Sequence, residues 1–194
     1  MNILVIDSTA EQLVVAATFD GKMAQRISFE GSKKHNSLLL VFVDEICEEL
    51  GIDIVDFDCF GCVVGAGSFT GIRIGVSSVK ALAFASGKPC VSLTCFDEVA
   101  FDKNDDKFVV ALDAKHDNFY CGIFEKNWTK CVELKSISKQ ELLQLGLPVY
   151  EKITFCNPKT LIDIVTYRAE KGEFAELEPL YLKKSQAERE RDGE

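Results

Sequence analysis

The order of elements in this chain predicts an α/β protein made of two related lobes. Three observations carry that prediction: an opening of three strands joined by short turns, strand-to-helix units after it, and a second start of the same pattern past the midpoint. Asn2–Ile6, Leu13–Phe19 and Met23–Phe29 are short runs rich in aliphatic and aromatic residues, and the Asp20-Gly21 pair between the second and third is a hairpin signal. Ser37 to Leu50 then reads as a helix stopped by Gly51. A strand ending at Val64, a glycine-rich loop, a helix from Ile72 to Ser86 stopped by Gly87, and a strand from Cys90 to Leu93 follow. An antiparallel meander followed by strand–helix units is the layout of a ribonuclease-H-like lobe.

The second half repeats this beginning. Phe108-Val-Val-Ala-Leu-Asp113 has the pattern of Ile3-Leu-Val-Ile-Asp7, and Phe119–Phe124 matches Leu13–Thr18. Both halves place an aspartate at the end of a first strand that enters a hairpin, as duplication of one lobe would leave. The polar segment Asp102–Lys107 marks the boundary, giving lobes at 1–103 and 104–184 and a charged tail, 185–194, expected to be disordered. Within the second lobe the pattern predicts strands near Asn118–Glu125 and Thr129–Leu134, a helix near Lys139–Leu145, a strand at Ile153–Cys156 and a helix from Pro158 to Lys171.

The most informative stretch is Gly65-Ala-Gly-Ser-Phe-Thr-Gly-Ile-Arg-Ile-Gly75, a strand-to-helix turn. Glycines open backbone conformations closed to other residues, and Ser68 and Thr70 place hydroxyls where a helix start needs caps and where backbone N–H groups gather for an anion. It is not a P-loop, because no Gly-Lys follows at the required spacing. Nor does it fit a dinucleotide fingerprint, whose third glycine would fall one place before Gly71 and whose loop follows the first strand of its unit. Two readings stand: a phosphate cradle, or a tight turn capping a buried helix. Asp7, Ser8 and Thr9 carry the same pair of readings, as a phosphate loop or as a turn in which Asp7 bonds its own hairpin.

Composition excludes several classes. A formal charge of −9 over 194 residues argues against independent, tight binding of nucleic acid, which needs clustered Lys and Arg. No apolar run approaches the roughly 20 residues that span a bilayer. The opening Met-Asn-Ile-Leu-Val-Ile-Asp lacks the basic region and cleavage site of a signal peptide, so a cytoplasmic location is expected. Of the eight cysteines, Cys47, Cys59, Cys62, Cys90, Cys121, Cys131 and Cys156 fall inside apolar elements and read as small hydrophobes; Cys59-x-x-Cys62 has no second pair at zinc spacing. No metal site is expected.

Five segments together resemble the TsaB family, also called YeaZ: Ile6-Asp-Ser-Thr9, Lys34-His-Asn-Ser-Leu-Leu39, the Gly65–Gly75 loop, Leu112-Asp-Ala-Lys115 and Glu178-Pro-Leu-Tyr-Leu-Lys183. The resemblance covers nearly the whole chain in order and spacing. It implies two lobes of the actin, sugar-kinase and Hsp70 type, and a role in forming threonylcarbamoyladenosine beside the anticodon of tRNAs that read codons starting with adenine. In the family TsaB is the non-catalytic partner of its paralogue TsaD, which transfers the threonylcarbamoyl group, and the ATPase TsaE joins them. The resemblance makes Asp7, Ser8, Thr9, Gly67, Ser68 and Thr70 candidate phosphate or nucleotide contacts, with ATP expected only in the assembled complex and no cofactor otherwise. Ala66 stands where the family usually has proline, as does Val41, and the second lobe is short.

The residues agree with a lack of catalytic chemistry. The catalytic paralogue has two histidines four apart on its first helix, a spacing that sets both imidazoles on one face for a metal. Here Leu39 stands four places after His35, leaving His35 as a loop or helix-start contact, and His116 lies in a turn of the second lobe. The two helices are apolar over more than one stripe, which suggests a two-plus-two helical contact with TsaD or with a second copy through Leu39, Phe42, Val43, Ile46, Ile74, Ser78 and Leu82. The plain alternative sandwiches both helices inside a three-layer fold. Three functions compete: the partner subunit, which meets tRNA only indirectly; a small ATPase or sugar-kinase-like phosphotransferase; and a peptidase, for which no His-Glu-x-x-His helix or local nucleophile–base pair is present.

Overall fold

A computed structural model describes residues 1–31, 34–115, 117–151 and 157–182. In chain order the elements are β1 (Ile3–Asp7), β2 (Leu13–Phe19), β3 (Lys22–Ser28), α1 (His35–Leu50), β4 (Cys59–Val63), α2 (Phe69–Ser86), β5 (Cys90–Leu93), α3 (Cys95–Ala100), β6 (Lys107–Lys115), β7 (Asn118–Glu125), β8 (Thr129–Ser138), α4 (Lys139–Gln144), β9 (Val149–Glu151) and α5 (Pro158–Glu170). They divide into two compact units, Met1–Thr94 with Phe155–Glu194, and Cys95–Thr154.

The first unit holds a five-stranded sheet in the order β3-β2-β1-β4-β5. The hairpin-linked strands β1, β2 and β3 run antiparallel, while β4 and β5 lie parallel to β1 because α1 and α2 supply the crossovers that parallel neighbours require. This is the strand order of a ribonuclease-H-like lobe. Central β1 is buried along its whole length. Leu4, Ile6, Leu13, Val15, Phe60 and Cys62 pack against Leu39, Val43 and Ile46 of α1 and Ile72, Val76 and Val79 of α2.

Helix α5 packs against β1, β2, β4 and β5 of this same sheet. Gly61 is what admits it, since a Cβ there would lie 2.4 Å from Cγ2 of Val165 and 2.9 Å from Cγ2 of Val5. The structure therefore corrects the sequence-based division at residue 103, which assigned this helix to the second lobe. Its start is as expected, with Asn157 accepting from the Lys159 N–H and Pro158 in the first turn. Helical periodicity marks a buried face without saying which sheet will cover it.

Beyond α5 an irregular strap, 173–182, runs back along the unit. Ala175 N–H donates to the Cys90 carbonyl (3.0 Å), Leu180 N–H donates to the Val64 carbonyl (2.8 Å), and Leu177 is buried. The Arg168 guanidinium donates to the Ser92 carbonyl at 2.5 Å. Outer strand β5 thus has its free carbonyls occupied, which blunts it as a template for another chain.

The second unit repeats the plan with one strand fewer, in the order β8-β7-β6-β9, antiparallel through β6, β7 and β8 and parallel between β6 and β9. The echo between Phe108–Asp113 and Ile3–Asp7 thus corresponds to two equivalent strands, β6 and β1. Val109, Ala111, Cys121 and Leu142 form its core. Strand β8 runs on to Ser138, which caps α4 in a reciprocal box with Glu141. Helix α3 and strand β9 are elements the sequence reading did not anticipate; the strand expected at Ile153–Cys156, His116 and the tail 185–194 lie outside the described residues. Among the described residues no helix is long and apolar enough to cross a membrane.

Candidate functional site

The end of β1 and the start of α2 meet in the first unit and form one polar knot. Asp7 Oδ1 accepts from the Thr9 N–H (2.8 Å) and the Thr9 hydroxyl (2.7 Å). Ser8 Oγ donates to the Gly71 carbonyl at 2.8 Å, and the Ser68 N–H donates to the Thr9 carbonyl at 2.7 Å. Asp7, Ser8 and Thr9 are 1%, 1% and 2% exposed, so each of these bonds satisfies a group removed from water.

Ser68 caps α2 by accepting from the Gly71 N–H (3.2 Å), so the helix starts at Phe69, three residues before the sequence reading puts it. That places Gly71 and Gly75 inside the helix, where glycine costs stability unless space requires it. Space does require it. A Cβ on Gly71 would stand 2.0 Å from the Ser8 carbonyl oxygen, one on Gly75 2.4 Å from Ser8 Oγ, and one on Gly67 2.2 Å from the Thr9 carbonyl oxygen. The glycine spacing follows the approach of the Asp7–Thr9 turn. Of the six candidate phosphate contacts, Asp7, Ser8, Thr9, Gly67 and Ser68 converge here, while Thr70 lies exposed in the first turn of α2.

The predicted helix interface needs correction. Leu39, Val43 and Ile46 are almost completely buried in the core of their own unit and offer nothing to a partner. Phe42, Ile74, Ser78 and Leu82 are half-buried. The apolar surface that is open lies on other residues: Leu40 and Val41 on α1, 51% and 47% exposed, and Phe84 on α2, 91% exposed. The i, i+4, i+7 spacing of 39, 43 and 46 is the spacing a core selects, and the signal for the outward face was the apolar residue left over beside it.

Beside that face sits an aromatic clasp the sequence did not reveal. The rings of Phe69 and Tyr181 stack with centroids 4.2 Å apart. The Arg73 guanidinium lies over Phe69 at 4.2 Å from its centroid, and Arg73 Nε donates to the Tyr181 hydroxyl at 3.1 Å. Lys80 pairs with Glu176 of the strap at 3.1 Å. Gly65, at φ +135°, passes so near the strap that a Cβ would be 2.4 Å from the Leu180 carbonyl oxygen.

His35 is buried at the first residue of α1 and donates from Nε2 to the Glu11 carbonyl at 3.1 Å, a helix-start contact. Among the described residues no group of three or more His, Cys, Asp or Glu could hold a metal. Burial pushes the thiol of Cys59 up to about 12 and that of Cys121 up to about 11, and raises Cys62, where nearby Asp7 adds to the effect; these thiols stay protonated and unreactive.

The two sheets, each with the order of a ribonuclease-H-like lobe, define the class: the two-lobed α/β fold of the actin, sugar-kinase and Hsp70 type. The family model for TsaD, tRNA N6-adenosine threonylcarbamoyltransferase, matches residues 29–188. TsaB proteins, named for tRNA threonylcarbamoyladenosine biosynthesis, are 28% identical to the chain in Haemophilus influenzae over 62% of it, and 28% identical in Escherichia coli over 66%. These matches take in 52% and 56% of those proteins, so the chain spans about half the length of the curated relatives it matches. A threonylcarbamoyltransferase of Clostridium botulinum is 29% identical over 48% of the chain and 32% of its own length. Among solved structures, YeaZ from Pseudomonas aeruginosa shares the fold with a TM-score of 0.77 and 20% identity, covering 93% of this chain and 99% of that one. The chain belongs to the TsaD family of tRNA N6-adenosine threonylcarbamoyltransferases and, within it, to the TsaB (YeaZ) group.

Proposed function

We propose that the chain is a non-catalytic subunit that TsaD requires, together with the ATPase TsaE, to place the threonylcarbamoyl group on the adenosine beside the anticodon of tRNAs reading codons that start with adenine. The observation that carries this is the similarity to two TsaB proteins named for that biosynthesis. The exposed Leu40 and Val41 of α1 and Phe84 of α2 support a role in assembly, since large apolar side chains left in water on a folded unit are where a partner gains most from desolvation. TsaD is the partner proposed for this face, and in its absence a second copy of the chain uses it. The closed Asp7–Thr9 turn supports a free chain without nucleotide, ATP entering only in the complex. The acidic charge supports leaving the tRNA to TsaD, in the cytoplasm.

The test is formation of threonylcarbamoyladenosine on a substrate tRNA by purified TsaD and TsaE supplied with threonylcarbamoyl-adenylate, with and without this chain. Product that needs the chain, with no turnover by the chain alone, is the expected result. Equal product without it overturns the reading, and saturable ATP hydrolysis by the chain alone turns it toward a phosphotransferase.

A further inference from the structure

The proposed partner face has a charged border whose geometry is already set. Arg73 projects from α2 one turn after Phe69, and its guanidinium is fixed twice, by the Phe69 ring beneath it and by the Tyr181 hydroxyl at Nε. The stacked Phe69 and Tyr181 rings hold each other, and the strap that carries Tyr181 is itself tied to Val64, Cys90 and Lys80. Among the described residues no carboxylate reaches Arg73, and its two terminal nitrogens have no hydrogen-bond partner. A long, exposed arginine ordinarily loses side-chain entropy when it is captured; this one has lost much of it already.

The chain is strongly acidic, and several of its other cations are ion-paired: Arg26 with Glu45 and Glu49, Lys34 with Glu30, Lys80 with Glu176, Lys159 with Asp163. A planar guanidinium fixed over a ring and at Nε, with both terminal nitrogens unengaged, can take a carboxylate bidentately through those two nitrogens. On the outer side of α2 its neighbours are exposed Ser77, Ala81, Ala85 and Phe84 and half-buried Ile74, with one charge among them, Lys80, already paired with Glu176. An apolar strip bordered by an arginine is the anatomy of a protein interface, whereas RNA calls for several cations on one track.

We infer that Arg73, held by Phe69 and Tyr181, is a specificity anchor at the border of the α2 face and receives an aspartate or glutamate from TsaD docked there. This rests on the partner-subunit reading and adds to it one contact of stated chemistry. The strap then has a part in recognition, because Tyr181, more than one hundred residues away in sequence, aims the anchor.

The experiment measures binding of the full-length chain to purified TsaD by calorimetry at low and high salt, with circular dichroism to check folding. Arg73→Gln should weaken binding by about tenfold or more and flatten its salt dependence, and Arg73→Lys should recover only part of it, because an ammonium cannot make the paired bond. Tyr181→Phe keeps the stack and the strap and removes only the bond to Nε; it should cost about threefold, as expected for loss of aim rather than of charge. Phe84→Asp separates the two levels of the proposal. If Phe84→Asp abolishes binding and Arg73→Gln does not alter it, the face stands and the anchor is overturned. If neither alters it, the face reading fails and takes the anchor with it. Loss of tRNA binding on Arg73→Gln with TsaD binding intact would assign the guanidinium to phosphate and overturn the inference.

Discussion

The Asp7–Thr9 knot and the outer face of α1 and α2 lie in the same unit and reverse the usual distribution of residues. The knot is polar in composition yet closed: a carboxylate and two hydroxyls are buried, and their bonds run to one another and to the α2 backbone. The helix face is apolar yet open, with Phe84 almost wholly in solvent. A buried polar cluster and an exposed apolar patch are the two departures from the inside–outside rule that carry information. The first holds the strand-to-helix junction in place, and the second has no structural use in the isolated unit. Substitutions in the knot should therefore act on stability, and substitutions on the face should act on association.

The largest effect is expected at Gly71. Its Cβ would press on a backbone carbonyl rather than on a movable side-chain tip, so Gly71→Ala must displace either the Asp7–Thr9 turn or α2. A loss of about 3 kcal/mol in denaturant unfolding is predicted, at the upper end for overpacking. An unfolding midpoint equal to that of the parent, with altered ATP binding, would show that the glycines serve an anion and not the packing.

Asp7→Ala comes next. It leaves the Thr9 N–H and hydroxyl buried without their acceptor, at a predicted cost of about 2 kcal/mol, which Asp7→Asn should partly restore because the amide oxygen can still accept. Urea midpoints for the two variants decide it. If Asp7→Ala unfolds like the parent, the turn is held by something other than this carboxylate.

Phe84→Ser is the reverse case. The ring is exposed, so its loss should change folding stability by less than about 0.5 kcal/mol while reducing capture of TsaD. Leu39→Ser, an equally simple apolar-to-polar change on a helix of the same unit, should unfold that unit, because Leu39 is buried in the core. Parallel thermal melts and binding isotherms would break the comparison if Phe84→Ser proved the more destabilising of the two.

These contrasts also mark how far the sequence could be read. The succession of strands, both crossover helices and the repeated start of the second lobe follow from periodicity and from stop signals such as Gly51 and Gly87, which do occupy the left-handed C-caps of α1 and α2. Periodicity also picked out Leu39, Val43 and Ile46, but an apolar stripe is what a core and an interface have in common, and the core took the best-spaced members. The glycine loop was visible as a special turn. Its reason was not, because the clash that forbids a Cβ comes from Ser8 and Thr9, some sixty residues earlier. The seat of α5 on the first sheet and the Arg73–Tyr181 clasp are tertiary facts of the same kind, with no local pattern to announce them.

The smallest effect comes from a pair with the chemistry of the knot but not its burial. In the second unit Ser138 donates its hydroxyl (2.7 Å) and its N–H (2.8 Å) to Glu141, much as Thr9 does to Asp7, but Glu141 is exposed. The Ser138 hydroxyl first, and its N–H second, hold the Glu141 carboxyl below its ordinary 4.5. The bonded form is the ionised one. Its contribution is present above that ordinary value and disappears as pH falls through the lowered one, loosening the start of α4 on the acid side only. Carboxyl carbon chemical shifts in an acid titration should place Glu141 below the other exposed glutamates in the parent and move it part of the way back to their range in Ser138→Ala, which keeps the N–H bond, with the global unfolding midpoint near neutral pH hardly moved. If Ser138→Ala instead destabilised the protein as much as Asp7→Ala does, burial would not be what separates the two carboxylate–hydroxyl pairs. The knot would then owe its strength to the paired hydroxyl and N–H bonds alone, which both pairs share.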